Sequence, residues 1–212
     1  MIEDLTACFD GLVDPRVTRR CNHRLIDILM IAVSAVIACA ESWEDIELYG
    51  RSKQAWLKTF LALPNGIPSH DTFRRVFMLI DPDAFEGCFA RWARSLTSKV
   101  EREVVAIDGK TETEIRYFLT SCNDDPAVLA QAIRRHWSIE NSLHWVLDVT
   151  FREDDSRVRD RTAARNLALL RKIALNLVAA DRSSQTSVRG RRKKAAWNDD
   201  YMLRIITRQL HA

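Results

Sequence analysis

The segment at 133–159, IRRHWSIENSLHWVLDVTFREDDSRVR, concentrates a carboxylate, two histidines, two tryptophans and several arginines in one short stretch. Ile133, Trp137, Glu140 and His144 recur three or four residues apart, which predicts a helix that carries them on one face. A carboxylate half buried beside Trp137 and His144 requires a cation or a hydrogen-bond donor. The spacing leaves two interpretations open, a functional carboxylate or an ordinary helix glutamate. In the second interpretation its partners are Arg135, His136 or His144.

The first half of the chain is predicted to be helical. The apolar run Leu25–Ala40 spans about 24 Å as a helix, which is shorter than a membrane crossing requires and typical of a buried core helix. Ser42 begins S-W-E-D, which has the form of a capping box, and a helix is predicted from Trp43 through Trp56 to Leu61, with a bend at Gly50 as an open alternative. Ser69 caps a further helix. Residues 1–98 therefore predict an all-helical domain of four or five helices.

The pattern changes after residue 102. Two β-branched or aromatic runs, at 103–108 and 115–121, predict strands, and the first ends at Asp108 in an Asp-Gly turn. Taken alone, Asp108 is an ordinary turn aspartate. A two-stranded ribbon is marginally stable and its open edges favour pairing with another chain, so self-association is an expected property.

The basic residues form two groups. Arg157 and Arg159 have two open interpretations, binding of phosphates or ion pairs with Asp154 and Asp155. A long helix follows them, and then a polar segment at 183–194 that we expect to be mobile. Its basic side chains either bind the DNA backbone or are simply solvated. They are Arg189, Arg191, Arg192, Lys193 and Lys194, and a closing helix is predicted at 197–210.

The composition is that of an ordinary globular protein. The 212 residues are 47% hydrophobic and 29% charged, and a net charge of +3 does not by itself indicate nucleic acid. The five cysteines are scattered without a CxxC pair, which favours reduced thiols in the cytoplasm. The acidic start of the chain lacks the basic region of a signal peptide, so we expect a cytoplasmic protein without a membrane span.

Three motifs resemble one protein family. R-x-H-W-x-I-E-N-x-L-H-W-V-L-D-V-x-F-x-E-D around Glu140, V-A-I-D-G-K-T around Asp108 and L-P-N-G-I-P-S-H-D-T-F-R-R-V-F at 63–77 are similar to the H-repeat-associated proteins, DDE-type insertion-sequence transposases of bacteria. The resemblance implies a ribonuclease H-like core that performs DNA transposition by metal-dependent phosphoryl transfer. It implies Asp108 and Glu140 as catalytic ligands of Mg²⁺ or Mn²⁺, and insertion-element ends as the DNA partner. The residues expected to contact DNA are Arg134, Arg135, His136, Arg157, Arg159, Arg189, Arg191, Arg192, Lys193 and Lys194.

The spacing of the two presumed ligands departs from that family. Glu140 follows Asp108 by only 32 residues, whereas a complete core of this kind needs on the order of 100 residues or more. We therefore expect that the middle of the core, with the second aspartate, is missing and that catalysis is defective. The alternatives are a non-catalytic remnant that binds DNA or assembles with itself or with a full-length transposase, and a pseudogene product. A zinc site is a lesser possibility, since His136 and His144 lie about 12 Å apart along a helix and cannot share one ion, although either could pair with Glu140.

The predicted fold class is thus mainly α with a small β remnant. Residues 1–98 form the helical domain and residues 99–182 a truncated ribonuclease H-like core that ends in a long helix. Residues 183–212 form the basic mobile segment and closing helix.

Overall fold

The computed structural model describes residues 11–16, 21–97 and 145–207, together with Thr6 and Phe9. Across these ranges the chain is mainly helical, as predicted, and contains no strand. The predicted strands at 103–108 and 115–121, and with them the expected β remnant and ribonuclease H-like core, lie outside the described residues. The helices are α1 (Leu25–Ile37), α2 (Trp43–Ser52), α3 (Gln54–Leu57), α4 (His70–Leu79), α5 (Pro82–Thr97), α6 (Trp145–Thr150), α7 (Arg161–Ala180), α8 (Val188–Trp197) and α9 (Asp199–Thr207).

Helix α1 is the buried core helix that the apolar run predicts. Every residue from Asp27 to Ile37 is buried, because α1 packs between α2 and α7. Its one carboxylate, Asp27, accepts a hydrogen bond from the main-chain N–H of Leu63 at 3.2 Å, and burial raises the pKa of this carboxyl. No helix in the described part of the chain has the length and apolar character needed to span a bilayer.

Helix α2 begins at the predicted capping box. The Ser42 hydroxyl accepts a hydrogen bond from the N–H of Asp45, and the Asp45 carboxylate accepts one from the N–H of Ser42. The helix is continuous at Gly50 and ends at Ser52, and the short α3 follows after Lys53, so the expected single helix through Trp56 to Leu61 is wrong. The glycine serves packing, because a Cβ at that position would lie 2.7 Å from Cγ2 of Ile67.

Helices α4 and α5 supply the aromatic part of the core. The Ser69 side chain caps α4 as predicted, and α4 buries Phe73, Val76 and Phe77. The ring of Phe77 stacks on Trp43 with centroids 5.2 Å apart, which joins α4 to α2.

The long helix α7 joins the two ends of the chain. It packs against α1, α4 and α5 from the N-terminal part of the chain and against α6, α8 and α9 from the C-terminal part. Both parts therefore share a single hydrophobic core. The side-chain amide of Asn166 lies fully buried in α7 and donates to the carbonyls of Phe77 and Ile80 at 2.8 and 2.9 Å. This contact fixes α7 on the end of α4.

The segment predicted to be basic and mobile is instead helical at α8. Ser187 caps α8, and the closing helix α9 follows after Asn198, close to its predicted start. Tertiary contacts account for the difference, because the buried side chains Arg192 and Ala195 attach α8 to the core.

Candidate nucleic-acid interface

A groove of about 370 Å³ lies where the N-terminal helices meet the segment that leads into α7. Three arginines line it from distant parts of the sequence, namely Arg74 on α4 and Arg157 and Arg159 just before α7. The remaining lining residues are Glu41, Ser42, Trp43, Glu44, Met78, Val158, Asp160 and Ala163. The amino-terminal ends of α2 and α7, with their partial positive charge, also open onto this groove.

Arg157 and Arg159 keep their charge available. Both side chains are exposed, and within the described part of the chain neither forms a hydrogen bond or an ion pair. The open alternative, pairing with Asp154 and Asp155, is not realised there. The Asp155 carboxylate instead binds Nε of Arg152 at 2.8 Å.

Two of the three carboxylates that line the groove, Glu41 and Asp160, are engaged in other contacts, whereas Glu44 is exposed. Glu41 accepts a hydrogen bond from Arg152 at 3.1 Å. The charge of Glu41 also acts on the buried guanidiniums of Arg171 and Arg192. Burial lowers the pKa of both arginines, and the negative charge of Glu41 partly offsets this decrease. Oδ1 of Asp160 accepts the N–H of Ala163 at 2.8 Å as the cap of α7. Arg157 and Arg159 therefore provide guanidinium donors that are not engaged by other described residues, and guanidinium forks match phosphate oxygens.

Arg74 was not among the predicted site residues. It lies 83 residues before Arg157, and no motif or spacing connects the two in the sequence. The structure brings it into the groove with an exposed ion pair to Asp71 at 3.2 Å. Only the packing of α4 on α7 reveals this relationship.

The predicted cluster on α8 divides into two sets. Arg191 donates to the carbonyls of Ser184 and Val178 at 3.1 and 3.2 Å, which satisfies the carboxyl end of α7. Arg192 is buried and donates to the carbonyls of Val36, Ile37 and Thr150, with its guanidinium 3.8 Å from the centroid of the Phe151 ring. These two arginines serve the fold, whereas the other basic residues of the cluster are exposed. The exposed members are Arg189, Lys193 and Lys194.

The predicted metal site lies outside the described residues. This applies to Asp108 and Glu140, to the neighbouring Arg134, Arg135 and His136, and to His144. Among the residues that are described, no three His, Cys, Asp or Glu side chains converge as metal ligands would. Cys21, Cys39 and Cys88 are not in disulfide bonds.

The helical part that frames the groove matches a known family model. Residues 6–93 match the domain described as DDE_Tnp_1-associated. No solved structure matches this chain.

Relatives extend the similarity beyond this segment to most of the chain. A protein of Xanthobacter autotrophicus described as "Uncharacterized protein in dhlA 3'region" is 49% identical over 107 residues, which are 49% of this chain and 36% of that protein. The "H repeat-associated putative transposase YhhI" of Escherichia coli K12 is 22% identical over 91% of this chain and 95% of its own length. The "Inactive transposase YbfQ" of the same strain is 50% identical over 54 residues, or 26% of this chain and 64% of that protein.

These matches show a transposase-associated family segment at residues 6–93 and a similarity to an H-repeat-associated putative transposase over most of the chain. They support the H-repeat-associated transposases as the family that this chain resembles. The chain covers only 36% of the length of the Xanthobacter relative.

Proposed function

We propose that this chain is a transposase-family protein that binds the DNA of a bacterial insertion element and does not join DNA strands. The observation that carries the proposal is the pair of unpaired arginines, Arg157 and Arg159, in the groove between the family-matched helices and α7. The two guanidiniums with Arg74 beside them offer a track for the phosphates of a duplex. Phosphate contacts of this kind position a protein on DNA without reading its sequence.

The spacing of Asp108 and Glu140 supports the loss of catalysis. Two divalent ions about 4 Å apart beside a phosphate require several carboxylates, and two carboxylates leave too few ligands. The alignment with YhhI extends over 358 positions, while 91% of this chain is about 193 residues. About 165 positions of the alignment therefore have no residue from this chain, as expected if the middle of the core is absent.

Mg²⁺ or Mn²⁺ would supply Lewis-acid activation of the attacking oxygen in a complete enzyme of this class. In this chain Asp108 and Glu140 are the residues that match the ligand positions, and they do not make up a full ligand set. A chain that binds the ends without joining them competes with a full-length transposase for the same DNA. The proposed role is therefore that of a non-catalytic DNA-binding protein.

The groove is tested by salt-dependent binding of a duplex of about 30 base pairs, followed by fluorescence anisotropy. The Arg157→Gln/Arg159→Gln variant is expected to bind more weakly and to lower the slope of log K against log salt by about two, since each arginine that no longer neutralises a phosphate reduces the slope by roughly one. The matched control is Arg165→Gln. Arg165 is also an exposed arginine of this region, but its charge is already paired with Asp83 and Glu86 at 2.6 and 2.7 Å. Equal slopes for the double variant and the wild type would overturn the groove as the binding site.

Catalysis is tested separately with a strand-transfer assay on insertion-element ends in Mn²⁺. The expected result is binding without cleavage or joining. Metal-dependent cleavage that Glu140→Gln abolishes would refute the proposed loss of activity.

A further inference from the structure

The exposed face of α8 combines positive charge with an aromatic ring. Arg189, Lys193 and Trp197 follow each other at intervals of four residues, which places them in one line along the helix. Lys194 lies beside this line, one turn before Trp197. The indole of Trp197 is 78% exposed, more than any other tryptophan in the described part of the chain. We call Arg189, Lys193, Lys194 and Trp197 the α8 stripe.

The α8 stripe is held in a fixed orientation by the opposite face of the helix. Arg191 and Arg192 reach back to main-chain carbonyls of α7 and α1, and Ala195 is buried. Directly after the stripe, Asp199 forms an ion pair with Lys53 at 2.6 Å. The exposed side chains therefore project from a helix that is attached along its length, so a ligand does not have to order the backbone.

The charges of the stripe have no carboxylate partner within the described residues. Arg189 and Lys193 form no ion pair there, and the Lys194 ammonium lies 4.4 Å from the centroid of the Tyr201 ring. Asp200 is the exposed carboxylate that follows in sequence, since Asp199 is occupied by Lys53. The stripe thus presents a local positive surface next to an exposed indole. This combination is complementary to a polyanion that carries aromatic groups.

We propose that the α8 stripe binds single-stranded DNA, with Arg189 and Lys193 on phosphates and the Trp197 indole stacked on an unpaired base. Arg189 and Trp197 lie about 12 Å apart along the helix axis, a span that suits a few nucleotides. A duplex offers its phosphates to the cations, but its bases are stacked and do not present a free face to the indole. The combination of a basic track and an exposed aromatic face is the arrangement by which proteins hold single strands. The inference rests on the proposed function and adds a class of substrate and a second surface to it.

The test measures anisotropy of the full chain at low salt with two probes, a labelled oligothymidine of about 12 nucleotides and a duplex of about 12 base pairs. Trp197→Ala is expected to weaken binding of the single strand at least about fivefold, since removal of base stacking has at least that effect. Binding of the duplex should change less than about twofold, because its stacked bases do not engage the indole. Trp197→Phe should retain most of the affinity for the single strand, because a phenyl ring also stacks.

The matched control is Trp145→Ala, which removes another exposed indole, 58% exposed, from a different part of the surface. It should leave binding of both probes unchanged. Arg189→Gln/Lys193→Gln should weaken binding of both probes and reduce the dependence on salt.

The inference is overturned if Trp197→Ala binds the single strand as the wild type does, or if it weakens binding of both probes equally. If duplex binding still depends on Arg157 and Arg159 in that case, only the inference fails. Wild-type protein that binds neither probe at low salt would refute the proposed function and the inference together.

Discussion

Arg192 on α8 donates through Nη2 to the main-chain carbonyl of Val36, at 2.8 Å, across 156 residues of sequence. The same guanidinium donates to the carbonyls of Ile37 and Thr150 and lies on the Phe151 ring. The carboxyl end of α1 is buried, so its last carbonyls require donors from the protein itself. One cationic side chain therefore closes α1 and attaches both α6 and α8 to it.

Replacement of Arg192 by methionine should destabilise the protein by about 2–4 kcal/mol, because it removes charge-assisted hydrogen bonds and takes away the donor of the buried Ile37 carbonyl. The Val36 carbonyl, by contrast, keeps the Cys39 N–H at 3.2 Å. Urea unfolding measures the effect. Arg189→Met on the exposed face of α8 is the matched control and should stay within about 0.5 kcal/mol of the wild type. Similar small effects for both variants would contradict the role of Arg192.

Substitution of the buried Asn166 should strongly reduce the stability of the protein. Asn166→Leu keeps the approximate volume but removes the two N–H donors, so that the carbonyls of Phe77 and Ile80 have no donor from α7 in the core. The expected loss of stability is about 2–4 kcal/mol. Asn176→Leu is the control, since the Asn176 amide donates only to the Lys172 carbonyl of its own helix. A larger effect at Asn176 than at Asn166 would count against this account of how α7 is fixed on α4.

Gly50 in α2 and Gly87 in α5 should respond to alanine in opposite directions. At Gly50 the added Cβ meets Cγ2 of Ile67 at 2.7 Å, so Gly50→Ala should destabilise by about 1–3 kcal/mol despite the better helix propensity of alanine. At Gly87 the nearest atom is the flexible Arg91 guanidinium at 3.7 Å, so Gly87→Ala should stabilise by about 0.5–1 kcal/mol. Thermal unfolding of the two variants should show midpoints that shift in opposite directions from the wild type.

The clash at Gly50 has its own control. Combining Gly50→Ala with Ile67→Ala removes the obstructing Cγ2, so the two changes together should cost less than the sum of the single effects. Strict additivity would show that Ile67 is not the obstacle.

The contact between Glu47 and His70 should make stability depend on pH. The Glu47 carboxylate accepts bonds from the N–H of His70 at 2.6 Å and from its Nδ1 at 2.8 Å. These bonds, together with the ion pair from Arg51 at 2.6 Å, lower the pKa of Glu47 to about 2, and the side-chain bond raises the pKa of His70 above its ordinary 6.5. The contribution of His70 to the stability of the folded state is complete below pH 6.5 and is lost as the pH rises through its raised pKa. The contribution of Glu47 to stability is present above its ordinary pKa of 4.5 and is lost as the pH falls towards about 2.

The urea midpoint of the wild type should therefore exceed that of His70→Gln most clearly at about pH 4.5–6.5, and the difference should shrink at alkaline pH. His23→Gln provides a control of opposite sign, because burial lowers the pKa of His23 and the folded state disfavours its protonation. A difference between wild type and His70→Gln that stays constant with pH would exclude the ion pair as its cause.

Local sequence signals were sufficient to predict most helices in the first half of the chain. Capping residues such as Ser42 and Ser69 and the apolar run that became α1 are local signals, and each acts within a few residues of where it stands. The family could likewise be recognised from motifs, because a contiguous motif such as L-P-N-G-I-P-S-H-D requires no tertiary information. The spacing of Asp108 and Glu140 is also a property of the sequence alone.

Which basic residues are available to a ligand depends on how the helices pack. Arg191 and Arg192 look like their neighbours Arg189 and Lys193 in the sequence, but they turn towards carbonyls of α7 and α1 because the helix ends there need donors. Arg74 and Arg157 form one groove because α4 packs on α7, and that packing depends on apolar surfaces far apart in the chain. Composition and motifs record which charges a chain carries, whereas burial and hydrogen bonding at distant helix ends determine which of them remain free.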